Sequence, residues 1–328
     1  MKKSLAVFVF LFLATSISAQ HEDAGTTEFP LLINNKDSRS IAMAGASVAM
    51  PNGTYGTFTN PSALADVERI EVFLGYTSII EGVWGIPLAF TRSFDKYGVF
   101  ALNLVSANTG VDVVDADNKR TGEFARDNFI AGGVSWGYKY NEKLLIGASI
   151  KGIYKRIYNY SSDGMCFDLG AQYRQKSNRL IYGLAVKNIG FMFNSYTPES
   201  ERDLLPMMVE GGISFVPKSA SQLRIALDIN KKIGDYVNFE PALELNVYKK
   251  VLSFRVGYAF SQMDAVNVLD ILQGDKDENY IKSNMSALCF GAGLKTNIDS
   301  KIVKVDFGIQ FMSFMLTPSL SISALVAL

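Results

Sequence analysis

The chain has 328 residues, with 32 Lys and Arg against 32 Asp and Glu, so its formal net charge is zero. A nucleic-acid partner is therefore not expected, because proteins that bind nucleic acids normally carry a basic excess. One histidine and two cysteines are too few for a multi-histidine metal site or a disulfide framework. No catalytic constellation or cofactor motif stands out, so we expect a non-enzymatic protein without a cofactor or metal.

The N-terminus has the pattern of a secretory signal peptide. Lys2 and Lys3 precede an apolar stretch at 5–14, which is too short to span a bilayer. Small residues before position 20 allow cleavage after Ala19. We therefore predict a signal peptide at 1–19 and an exported mature chain. No later run of 18 apolar residues predicts a transmembrane helix.

Residues 20–66 differ in composition from the rest of the chain. They are rich in Gly, Ala, Ser, Thr and Asn, and Asn60-Pro61 is a turn signal at their end. Small residues with spaced glycines allow a compact chain that fits inside a larger structure. We predict that this segment is a separate hatch or plug.

From about residue 70 onward the dominant hydrophobic period is two, which predicts strands. In 302–312, for example, Val303, Val305 and Phe307 alternate with Lys304, Asp306 and Gly308. We count about fourteen strands of roughly ten residues each, a length that suits a tilted strand crossing a bilayer. They are predicted to start near Ile70, Val83, Lys96, Asp127, Lys143, Gly164, Arg179, Met208, Ser221, Val237, Val251, Ser286, Lys301 and Ser319.

The predicted connections differ in length at the two ends of the strands. Every connection after an even-numbered strand is short, and the long ones, 107–126, 190–206 and 262–285, all follow odd-numbered strands. Transmembrane barrels show this arrangement, with short periplasmic turns and longer extracellular loops. The sequence therefore predicts an all-β fold in the bacterial outer membrane, an antiparallel transmembrane barrel over 67–328. A soluble exported β-protein remains the alternative.

In such a barrel the apolar strand faces contact lipid and the polar faces line the lumen. The predicted lumen charges have both signs, which favours cross-strand ion pairs and a filled lumen, with 20–66 as the plug. Glu240 and Glu244 could form a catalytic pair, but Arg224 and Arg255 nearby favour structural pairing. The predicted lumen charges are Asp168, Arg174, Glu210, Arg224, Asp228, Glu240, Glu244, Arg255, Lys304 and Asp306.

Several short motifs carry a resemblance to a known family. Residues 43–49 (MAGASVA) and 58–64 (FTNPSAL) are followed by 168–173 (DLGAQY), 186–190 (VKNIG), 254–258 (FRVGY) and 290–293 (FGAG). In this order they resemble the PorV/PorQ family, which is similar to the wider FadL group of outer-membrane transporters. The resemblance implies a fourteen-stranded barrel whose hatch includes Gly45, Asn60 and Pro61.

The resemblance implies two possible roles. In the PorV/PorQ role, the barrel docks or shuttles secretion-system proteins or exported cargo, as in type IX secretion, and the three long loops would hold the partner. In the FadL-like role, the barrel transports hydrophobic small molecules through a lumen that the hatch blocks. The lumen charges favour the docking role, and outer-membrane lipid surrounds the barrel in both.

Overall fold

The computed structural model describes residues 29, 32, 37–80, 83–114, 120–175, 177–195, 205–233, 237–261, 287–312 and 317–328. The predicted signal peptide at 1–19 and the predicted loop at 262–285 lie outside these ranges. Within them, no helix has both the length and the apolar character that a membrane crossing needs.

The described chain consists of one short helix, four 3₁₀ turns and fourteen strands. Helix α1 covers Ser38–Ala42, and the 3₁₀ turns cover Gly53–Thr57, Pro61–Asp66, Asp95–Tyr97 and Tyr248–Lys250. The strands are β1 Glu71–Ile80, β2 Val83–Ser93, β3 Val99–Val114, β4 Arg120–Lys139, β5 Leu144–Ile157, β6 Tyr160–Arg174, β7 Leu180–Asn194, β8 Met208–Phe215, β9 Leu223–Lys232, β10 Val237–Val247, β11 Leu252–Ser261, β12 Ala287–Ile298, β13 Lys301–Met312 and β14 Ser319–Ala327.

The strands form a closed barrel in which each one pairs with its sequence neighbours. The first and last strands complete the ring, because β1 pairs antiparallel with β14 from Glu71↔Ala327 to Ser78↔Leu320. Closure leaves no free sheet edge, so every strand has a backbone partner on both sides. The prediction of an all-β, fourteen-stranded antiparallel barrel is confirmed.

Side chains alternate between the two faces of the barrel wall. In β14, Ser321 and Ser323 are buried while Leu320 and Ile322 are 41% and 52% exposed. Large apolar side chains cover the outside of the other strands as well, among them Leu102 at 59% exposure. A continuous apolar exterior is unfavourable in water and favourable in lipid, which identifies a membrane-embedded barrel.

The predicted strand starts agree with the structure within three residues except at two strands. Strand β4 begins at Arg120 rather than near 127, and β6 begins at Tyr160 rather than near 164. The predicted loop at 107–126 is therefore wrong. Backbone pairing between β3 and β4 continues from Ala107↔Phe129 through Asp112↔Phe124, so the polar residues that suggested a loop belong to a long hairpin.

The predicted loop at 190–206 is also too long, because β7 continues to Asn194. Strand β7 contains an irregularity that sequence patterns did not show. Its register with β6 shifts beside Asp168, and Asn188 has a φ of 59°. Asn tolerates this left-handed conformation better than most residues, and its backbone N–H donates to Asp168 Oδ1 at 2.8 Å. The result is a local bulge in the β6–β7 wall.

Candidate functional site

The segment 37–66, here called the hatch segment, folds locally through side-chain caps. Asp37 accepts from the backbone N–H of Ser40 at 2.9 Å and from its hydroxyl at 2.7 Å, which starts α1. The Asn60 side chain accepts from the Ser62 backbone N–H at 3.1 Å, and Pro61 is the first residue of the 3₁₀ turn that follows. Burial raises the pKa of the Asp37 carboxyl.

The hatch segment lies against wall glycines that face the lumen. A Cβ atom at Gly137 would lie 2.7 Å from Leu64 Cβ, and one at Gly308 would lie 2.6 Å from the carbonyl oxygen of Ser38. These distances are shorter than real Cβ contacts, so only glycine permits the approach. The wall glycines in such contact with the hatch segment are Gly137, Gly147, Gly170, Gly183, Gly212, Gly257, Gly291 and Gly308.

An ion-pair network joins the hatch segment to β10, β11 and β13. Arg39 donates from Nε and Nη2 to both Glu244 oxygens at 2.9 and 3.0 Å, a bidentate geometry. Arg255 donates to Glu244 at 2.9 Å and to Asp306 at 2.6 Å. Tyr55 donates its hydroxyl to the other Asp306 oxygen at 2.9 Å. Five buried or nearly buried polar groups thereby satisfy one another.

The environment keeps both hatch groups of this network protonated. Burial alone would lower the pKa of the Arg39 guanidinium, but the Glu244 carboxylate outweighs burial and leaves that pKa raised. Burial, followed by the charge of Asp306, raises the pKa of the Tyr55 hydroxyl well above its ordinary value. Tyr55 therefore remains a hydrogen-bond donor at physiological pH.

A second set of bonds holds the part of the hatch segment near Asn60. The Asn60 amide donates to Val48 O at 2.9 Å. Gln172 on β6 donates to the same oxygen at 2.9 Å. Arg174 pairs with both carboxylate oxygens of Asp66 at 2.6 and 2.8 Å. The Asn60 amide also donates to Ala171 O on β6 at 3.3 Å, so Asn60 is joined both to its own segment and to the wall.

The remaining predicted lumen charges have varied partners. Asp168 pairs with Lys151 at 2.7 Å. The predicted pairing of Arg255 with Glu244 is confirmed. The predicted pairing of Arg224 with a glutamate is wrong, because Arg224 donates to Ser214 at 3.0 Å. The arginine lies opposite Glu244 in the register, but that carboxylate is already occupied by two other guanidinium groups. Lys304 is partly exposed, beside Lys295 in the register.

Glu240 has no arginine partner among the described residues. It accepts from Asn230 Nδ2 at 2.7 Å instead, so the predicted pairing of this residue with an arginine is wrong. Its carboxylate contacts the backbone of the hatch at Gly45, where a Cβ would lie 2.5 Å from Glu240 Oε2. Gly45 has a φ of 104°, a conformation that strongly favours glycine. Glu210 and Asp228 lie beside Glu240.

An apolar cluster lies in the lumen, inside β3–β6, across the barrel from the charged network. Phe29 and Leu205 complete it, and Phe29 packs on Phe129 with ring centroids 6.0 Å apart. Leu32, Phe58 and Met192 pack against its border. We call it the apolar lumen cluster; its buried members are Phe29, Val105, Ala107, Phe129, Ala131, Ile153, Cys166 and Leu205.

Sequence patterns missed the apolar lumen cluster because apolar faces were assigned to lipid. On β4, Phe129 points inward and Ile130 outward, so both faces of the strand are apolar at this depth. Short runs such as 129–131 (FIA) carry this signal, since a strand with a polar lumen face would alternate there. The lumen thus has an apolar surface besides its charged groups, and the Lys151–Asp168 ion pair lies on two of the same strands, β5 and β6.

No family model and no curated protein matches the chain. Several solved structures share its fold. The toluene transporter TodX of Pseudomonas putida aligns with a TM-score of 0.61 at 13% identity, over 90% of this chain and 97% of that one. A FadL homologue of Pseudomonas aeruginosa gives 0.53 and 11%, over 90% and 97%. The toluene transporter TbuX of Ralstonia pickettii gives 0.55 and 13%, over 90% and 98%.

These likenesses establish that the fold is the FadL-type outer-membrane barrel. Together with the apolar exterior, they place the protein in the bacterial outer membrane. The match covers nearly the full length of each compared structure. The narrower resemblance to PorV/PorQ gains no support from a family model.

Proposed function

We propose that the protein transports small apolar molecules across the outer membrane, with the apolar lumen cluster as their binding site. The observation that carries this proposal is a buried, inward-facing apolar surface in a lumen that otherwise carries ion pairs. An apolar surface buried inside a barrel gains nothing from lipid and is suited to an apolar ligand. The known functions of the toluene transporters with this fold support the same role.

In this proposal Phe29 occupies the ligand position in the unliganded protein. Its side chain is fully buried among Phe129 and the aliphatic members of the apolar lumen cluster. An incoming apolar molecule takes the place of the Phe29 ring, and the displaced residue pulls on the hatch segment that follows it. Ligand binding and hatch movement are coupled because they compete for one apolar surface.

The test compares two substitutions on the inner face of β5. Ile153→Asn places an amide in the apolar lumen cluster, whereas Leu145→Asn places one on the same strand face, outside the cluster; both side chains are 3% exposed in the native protein. A buried amide without a partner costs about 1–3 kcal/mol, so Ile153→Asn should weaken toluene binding by about 5- to 150-fold. Leu145→Asn should retain it.

Binding is measured with radiolabelled toluene and with palmitate on the purified full-length protein in detergent micelles. Uptake is measured in cells that express each folded variant. Saturable binding of either ligand that Ile153→Asn weakens by this factor and Leu145→Asn retains supports the proposal and identifies the ligand class. Equal binding by both variants, or no binding by the wild type, refutes it.

The docking role inferred from the sequence has less support. Of its three loops, 107–126 is largely a strand hairpin, and 262–285 lies outside the described residues. The comparisons favour the transport alternative. Recovery of secretion components in pull-downs from detergent extracts would support the docking role.

A further inference from the structure

A groove lies on the outer wall of the barrel, at the end where β2 and β3 are joined by the short turn at 94–98. We call it the rim groove; it has a volume of about 510 Å³ and is formed by β2, β3, β4 and this turn. Six of its seven lining residues are aromatic or aliphatic and the seventh is Arg92, so the groove combines an apolar surface with one cation. Short turns of transmembrane barrels face the periplasm, which puts the rim groove at the periplasmic leaflet.

The strand register orders the side chains of the rim groove by their distance from the turn. Phe90, Leu102 and Val134 lie side by side on β2, β3 and β4. Arg92 lies two residues nearer the turn, directly opposite Phe100. The four apolar side chains are between 39% and 59% exposed, and Arg92 is exposed beside them. The outer wall therefore changes from apolar to cationic towards the rim, the order in which a phospholipid presents its acyl chains and its phosphate.

The guanidinium of Arg92 is available to a ligand. It forms no ion pair with a carboxylate in the part of the chain that the structure describes, and lies over the Phe94 ring at 5.1 Å from the centroid. Stacking on a ring uses the flat face of the guanidinium and leaves the N–H donors at its edge free. An arginine on the lipid face is strongly disfavoured at the bilayer midplane but tolerated at headgroup depth. Arg92 thus points to an anionic partner at that depth.

The turn beside the rim groove adds a second cation. Lys96 Nζ lies 5.0 Å from the centroid of the Tyr97 ring. Asp95 is the single acidic residue in 90–102, against Arg92 and Lys96, so this part of the wall has an excess of positive charge. Tyr97 is 65% exposed, and its apolar ring with a polar hydroxyl suits the headgroup region. This charge balance favours a lipid with a net negative headgroup.

Contacts within the wall hold the rim groove in shape. Trp136 on β4 donates from Nε1 to the Tyr97 carbonyl oxygen at 2.9 Å, which fixes the turn against the neighbouring strand. The rings of Phe94 and Phe100 pack edge to face with centroids 5.7 Å apart. A groove that is already formed saves a ligand the cost of ordering its binding site.

We propose that the rim groove binds one anionic phospholipid of the periplasmic leaflet. Arg92 binds the phosphate, because the guanidinium fork matches two phosphate oxygens, and an acyl chain lies along Phe100 and Leu102. Free phosphate would use the cation but leave the apolar part of the groove uncovered. The site is on the outer wall, so it is independent of what the lumen transports.

Native mass spectrometry of the delipidated, full-length protein in detergent micelles tests the proposal. Dioleoyl phosphatidylglycerol should be retained at one molecule per chain, more tightly than dioleoyl phosphatidylcholine, and inorganic phosphate should not be retained. Arg92→Gln removes a charged hydrogen-bond donor and should weaken phosphatidylglycerol binding by at least about tenfold. Lys301→Gln is the matched control, because it removes the same charge from an exposed residue at the same rim, outside the groove.

Leu102→Trp tests the apolar half of the rim groove. It leaves Arg92 in place and puts a large ring where the acyl chain would lie, so it should also weaken binding. Heat-modifiable migration on gels establishes that each variant is folded. Retention by the wild type and Lys301→Gln, with loss in Arg92→Gln and Leu102→Trp, supports the site. Equal retention of the two lipids by the wild type, or equal retention of phosphatidylglycerol by the wild type and Arg92→Gln, overturns it and shows that Arg92 contacts only the bulk headgroups.

Discussion

The glycine contacts between wall and hatch segment predict the effect of a single methyl group. Gly147 faces inward on β5, and a Cβ built there would lie 2.6 Å from the Pro61 carbonyl oxygen, with the Ser62 backbone nitrogen also in overlap. Backbone atoms cannot rotate away as a flexible side chain does. Gly147→Ala must therefore push the hatch segment off the wall at this point.

The magnitude follows from the cost of overpacking. Inserting a methyl into a close-packed contact destabilises it by about 1–3 kcal/mol. Gly152→Ala on the same strand is the matched control, because its new Cβ would have only Gly132 O near it, at 4.0 Å. Both changes alter the unfolded chain equally, so that contribution cancels in the comparison. The hatch should open about 5- to 150-fold more often in Gly147→Ala.

Hydrogen–deuterium exchange of the purified protein in micelles measures this opening. Peptides from 37–66 should exchange faster in Gly147→Ala than in Gly152→Ala by that factor, while peptides from the strands exchange alike. Equal exchange of the hatch peptides in the two variants would refute the close packing of hatch and wall.

Three further perturbations test other contacts. Arg39→Ala should lower the urea-unfolding free energy by about 3 kcal/mol, since it strips one partner from a buried carboxylate, whereas the exposed Arg69→Ala should change it by under about 0.5 kcal/mol; equal losses contradict the network. Phe29→Ala should speed maleimide labelling of the buried Cys166, the other cysteine being replaced by alanine; unchanged labelling shows that Phe29 does not cover the cluster. Asn60→Ala should reduce thermal stability by about 1–2 kcal/mol, and no change would show that its cap is dispensable.

The barrel could be predicted because apolar and polar side chains alternate along its strands with a period of two residues. Alternation in β13 and β14 distinguishes a lipid face from a lumen face, so the local sequence alone is enough to recognise these strands. The β3–β4 hairpin was not predictable in its full length. Once β3 and β4 pair in the wall, their register carries the ladder onward through residues whose composition alone suggests a loop.

The lumen was only partly predictable. The alternation of polar and apolar residues along the strands placed Glu244, Arg255 and Asp306 on inward faces. Alternation does not show which of these charged side chains pair with each other. The pairing depends on Arg39, which lies more than 200 residues from Glu244 in the chain and forms an ion pair with it. Arg224 instead donates a hydrogen bond to Ser214. The apolar lumen cluster likewise depends on three-dimensional closure, which brings β3 to β6 around Phe29.

The last strand also touches the start of the hatch. The hydroxyls of Ser38 and Ser321 lie 2.8 Å apart although 283 positions separate them in the chain, and β14 is held by β1. The N-terminal segment therefore cannot reach its final contacts until the C-terminal strand has joined the ring. Contacts of such high sequence separation form slowly, so maturation should proceed through an open-sided intermediate whose interior is still accessible. Truncation of β14 should leave the chain arrested at that stage.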